Sequence, residues 1–71
     1  MLEEVREAAR KVPFEPFWIE LSSGTEISVP HPDHILVGSA RVAVEDDDGV
    51  IHVLSPLHMA RIRSQPRERS A

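Results

Sequence analysis

The chain has 71 residues, a net charge of −4 and no cysteine, so it holds one small domain with neither a disulfide framework nor a thiolate metal site. A chain this short buries only about 60% of the surface its unfolded form exposes. Such a marginal core makes self-association the expected source of further stability.

Charge is unevenly distributed. Residues 1–60 carry 11 acidic and 4 basic side chains, whereas residues 61–71 carry one acidic and 4 basic. An acidic body argues against broad phosphate-backbone binding and leaves the basic end, or a local patch, as the place where RNA would be met. No run approaches the roughly 18 apolar residues of a membrane span, and the opening MLEEVREAARK is too charged for a secretory signal. A soluble, cytoplasmic protein without membrane contact is the expectation.

In chain order, Leu2, Val5, Ala9 and Val12 recur at helical spacing, with charged residues between them, which predicts an amphipathic helix over residues 2–12. Glutamates lead and Arg10 and Lys11 trail, in keeping with the helix dipole, and Pro13 ends the helix. Next, Phe17, Ile19 and Leu21 alternate with Trp18 and Glu20, and Ile27 and Val29 alternate with Glu26 and Ser28. Two antiparallel strands about a turn at Ser22-Ser23-Gly24 follow. Pro30 and Pro32 end the second strand, and Ile35 to Val37 is a short apolar return. Residues 41–45 (RVAVE) alternate as a strand, Asp46 to Gly49 (DDDG) supplies a hairpin turn, and residues 50–54 return. Ser55-Pro56 breaks that strand, and residues 57–63 form a last strand or a turn plus strand. Residues 64–71 are expected to be a disordered basic tail after a single domain over residues 1–63.

The predicted fold is mainly β with one N-terminal α-helix: five short strands in a strongly bent sheet or small barrel. An open sheet crossed by the helix is the alternative that periodicity leaves standing.

Two resemblances rest on these residues. Pro13, Phe14, Pro16, Phe17, Ile19, Leu21, Gly24, Ile27, Val29 and His31-Pro32-Asp33 fit a PFxPFxIxLxxGxxIxVxHPD pattern. In this the chain resembles a set of short bacterial proteins whose pattern implies no particular activity. The order of helix and strands, with Ile19, Leu21 and Gly24 as an IxLxxG core, is similar to the Sm-like (Hfq-like) and SH3-like small barrels. That resemblance implies a ring that binds RNA, with His58 near the place of the Tyr-Lys-His stretch of the Hfq-like proteins, though no Tyr or Lys accompanies it.

The candidate site residues are each compatible with a plainer role. His31-Pro32-Asp33 matches the J-domain tripeptide, but period-two alternation before it excludes the long helices a J-domain needs. It reads instead as a corner in which Asp33 caps the turn amides. Gly24 and Gly49 are turn residues on the same reasoning. His31, His34, His52, His58 and Asp33 lack the short paired spacing of a zinc site, and Asp46-Asp47-Asp48 lacks EF-hand spacing, so neither a metal nor another cofactor is expected. Trp18, the sole tryptophan, can pack under the helix, seal a subunit interface or stack on a base. Arg61 and Arg63, with Trp18, His31 and His58, are the candidate contacts for a partner or nucleic acid. Without cysteine, tyrosine, a nucleophile elbow or a glycine-rich phosphate loop, no enzyme is expected. The leading expectation is a non-enzymatic module that self-associates through a strand edge and the apolar face near Trp18; an RNA-binding ring and an accessory subunit on a larger protein are the alternatives.

Overall fold

A computed structural model describes residues 1–64. Helix α1 spans Leu2–Arg10, with Glu3 and Glu4 in its first turn and Arg10 in its last. It ends two residues before the expected boundary. A residue preceding proline is steered out of the helical region, and the backbone becomes extended at Lys11 (φ −60°, ψ 138°), one residue before Val12-Pro13. Lys11 Nζ then pairs with Glu15 at 2.9 Å. Val5 is fully buried, with Leu2 and Ala8 packed beside it, so one face of α1 covers the core.

Six strands follow: β1 Phe17–Leu21, β2 Glu26–Val29, β3 Ile35–Val37, β4 Val42–Glu45, β5 Ile51–Leu54 and β6 Met59–Arg63. They form two three-stranded antiparallel sheets, ordered β2-β1-β6 and β3-β4-β5. This corrects the expectation of five strands in one bent sheet or barrel, since among the described residues neither sheet closes. Pro30 and Pro32 have no amide to donate to a ladder. Between β2 and β3 the chain instead makes a one-turn 3-10 helix at Pro32–His34, closed by His34 N–H on the His31 carbonyl at 3.0 Å. A second 3-10 turn, Pro56–His58, precedes β6, which realises the turn-plus-strand alternative for residues 57–63. Ser55 Oγ caps it by accepting from Leu57 N–H at 3.3 Å. The predicted tail lies outside the described residues, apart from Ser64, which is exposed.

Register explains the core. Phe17 pairs with Val29 and Ile19 with both Ile27 and Ile62, so these side chains share one face of the first sheet. In the second sheet Ile35 pairs with Val44, and Val42 with both Val37 and Leu54. The facing rows, with Val5 and Met59, make a single apolar layer. Both hairpin turns need a left-handed residue, and glycine fills that position each time: Gly24 at φ 95° and Gly49 at φ 82°.

Truncating the centre of this layer is expected to be severe. Ile19→Ala should lower unfolding free energy by about 2–5 kcal/mol, whereas Leu36→Ala on an exposed face should change it by less than about 0.5 kcal/mol, as read by urea titration.

Candidate functional site: two outer sheet faces

Because side chains alternate across a strand, each sheet turns a second face away from the core. The two outer faces differ sharply in chemistry.

On β2-β1-β6 the outer face carries Trp18, Glu20, Glu26, Ser28, Arg61 and Arg63. Trp18 pairs across the sheet with Ser28 and Arg63, and Glu20 with Glu26 and Arg61. Trp18 is half-buried on the side opposite the core row, so it does not lie under α1, which packs on that row. Glu20, only 9% exposed, receives a hydrogen bond from Arg63 Nε at 3.0 Å and has Arg61 Nε at 3.7 Å. Arg63 Nε also lies 3.5 Å from Glu26 Oε2. A buried carboxylate needs such partners. Of the two arginines expected to reach outward, Arg63 is therefore engaged within the chain, while Arg61 stays 60% exposed beside Glu20.

His31 and His58, the remaining candidate contacts, do not join this group. His31 is exposed at the start of the first 3-10 turn, its ring 5.5 Å from that of His34. His58 is exposed at the end of the second, where its carbonyl accepts from Ser22 N–H at 2.8 Å. Among the described residues no three His, Asp or Glu side chains converge as a metal site.

Asp33 does not cap its turn; its exposed carboxylate takes no hydrogen bond among the described residues. Pro32 starts the turn as expected, and the capping falls to a backbone carbonyl. The aspartate that does cap is Asp46, whose Oδ1 accepts from Asp48 N–H at 2.9 Å and Val50 N–H at 3.0 Å. Its Oδ2 meets His52 Nε2 at 2.8 Å. The His52 hydrogen bond, then that of Val50, hold the Asp46 carboxyl below its ordinary pKa. On the other side, His34 Nδ1 lies 3.0 Å from the Glu45 carbonyl and ties the first 3-10 turn to the end of β4.

The outer face of β3-β4-β5 is apolar. Leu36, Ala43 and Val53 form one row across the three strands, and Ile51 stands beside it opposite Glu45. Leu36 is 70% exposed, Val53 67% and Ile51 60%. A shallow hollow of about 310 Å³ lies over the small Ala43, bordered by Leu36, Gly38, Arg41 and Val53. This face was missed because the candidate contacts were chosen for an aromatic, imidazole or basic side chain. Its signal was present in the unbroken apolar run Ile35-Leu36-Val37, a pattern that belongs to strands covered on both sides.

No protein-family model, curated protein or solved structure matches this chain. Among the described residues no helix is long and apolar enough to cross a membrane.

Two outcomes follow from the polar groups. Glu20→Ala should destabilise the fold by about 1–3 kcal/mol in chemical denaturation, because it removes the near-buried carboxylate that accepts the Arg63 hydrogen bond and faces Arg61, leaving Arg63 with Glu26 alone. For Asp46 the folded-state pKa is depressed, so its contribution is present above the ordinary aspartate value of about 3.9 and is lost as pH falls through the lower folded value. The melting-temperature gap between wild type and Asp46→Asn should therefore be full near neutral pH and close progressively below about pH 4.

Proposed function

We propose that this chain is a non-enzymatic interaction module that works by associating with itself or with another protein. The observation that carries the reading is the outer face of β3-β4-β5, where Leu36, Ile51 and Val53 stand largely exposed in one patch. Scattered exposed apolar residues need no explanation, but a contiguous patch marks a contact surface. The contrast within the molecule strengthens this, because the other sheet covers its outer face with its own ion pairs.

The strand order supports an open relative of the Sm-like and SH3-like architecture. β2 and β3 read as two halves of one strand interrupted by the Pro32–His34 turn, and a 3-10 turn precedes a last strand that returns to β1. RNA binding by a ring is the second reading, favoured by the half-buried Trp18 beside Arg63. We rank it lower because Arg61 and Arg63 lie 3.7 and 3.0 Å from Glu20.

Sedimentation over a concentration series tests the first reading. The average mass should rise with concentration for the wild type and fall back for Val53→Asp, with an unchanged circular dichroism spectrum for both. A wild-type mass that stays monomeric while U-rich and A-rich oligonucleotides bind at low salt would replace it with the second.

A further inference from the structure

The outer row of β4 carries an ordered charge pattern that selects one mode of self-association. Gly38 N–H donates to the Arg41 carbonyl at 2.8 Å, which extends the β3-β4 ladder one pair beyond Val37 and Val42. Arg41 thereby keeps the alternation of β4, and Arg41, Ala43 and Glu45 stand in one outward line. Both charged side chains are exposed and neither forms an ion pair among the described residues. They sit on opposite sides of Ala43, about 13 Å apart along the strand.

We propose that a second copy of the chain packs face to face on β3-β4-β5 about a two-fold axis that crosses β4 at Ala43. This deepens the self-association reading and rests on it. The axis lies between the two sheets and perpendicular to β4, so the facing strands run antiparallel. Arg41 then meets the partner's Glu45 at one end, and Glu45 meets the partner's Arg41 at the other, as an isologous interface requires. An axis parallel to β4 would oppose arginine to arginine and glutamate to glutamate. The charge order of this one strand therefore discriminates between the two stackings. Between the charges, Leu36 and Val53 face their own counterparts across sheets about 10 Å apart, and the small Ala43 leaves room for the side chains to interdigitate.

Size sets the strength. The patch presents apolar area on the order of 400 Å² per copy, against about 800 Å² per partner in a standard stable interface. The dimer is accordingly expected to be weak and concentration-dependent.

Charge reversal tests the geometry by sedimentation at concentrations up to about 1 mM. R41E places four acidic groups across the interface and E45R four basic ones, so each alone should raise the dissociation constant about tenfold or more. Mixing the two single variants should restore a dimer of one copy of each, because every contact is then between opposite charges. The double variant R41E/E45R should dimerise like the wild type. That rescue cannot come from unfolded chains. A wild-type dimer indifferent to both reversals would overturn the proposed stacking while leaving self-association intact. A wild type monomeric throughout would overturn both.

Discussion

Everything in this molecule depends on one thin apolar layer. Its fully buried side chains come from all three parts of the structure: Val5 from α1, Ile19 and Val29 from one sheet, Val42 and Val44 from the other. Neither sheet has a second core to lean on, and the helix of nine residues is too short to persist without that layer. The same constraint limits the outer faces. Once one face of each three-stranded sheet is spent on a shared core, the other must be covered by its own polar groups, by water or by a partner.

The two sheets solve this differently. On β2-β1-β6, Glu20 and Glu26 sit among Arg61 and Arg63, so that face carries opposite charges beside one another. On β3-β4-β5 the centre is Leu36, Ala43 and Val53, and charge is confined to the two ends of β4 at Arg41 and Glu45. An apolar centre between opposite charges is the composition of a contact surface with a defined orientation. The functional reading follows from that asymmetry between the sheets.

Much of this was legible in the sequence, and the gaps have physical causes. The alternation of Phe17, Ile19 and Leu21 with Trp18 and Glu20 located β1, and the glycines at 24 and 49 located both hairpin turns. The split between β2 and β3 was harder, because proline marks where a ladder stops without saying whether the chain bends as a strand or coils into a 3-10 turn. Asp33 and Asp46 were equally good capping residues by type; only the fold shows that Asp46 has two amides within reach and Asp33 none. The Glu20–Arg63 pair joins residues 43 apart in sequence, which no local pattern encodes. The apolar outer face showed in the run Ile35-Leu36-Val37, but the candidate contacts were drawn to rings and positive charge at Trp18, the histidines, Arg61 and Arg63.

The account rests on contact between copies of the chain through the outer face of β3-β4-β5, which methyl NMR across a dilution series reads residue by residue. The account predicts concentration-dependent shifts confined to the methyl groups of Leu36, Ala43, Ile51 and Val53, with the Trp18 indole unmoved. Methyl resonances on this face that stay fixed across the whole dilution series, or shifts centred on Trp18 instead, would contradict it.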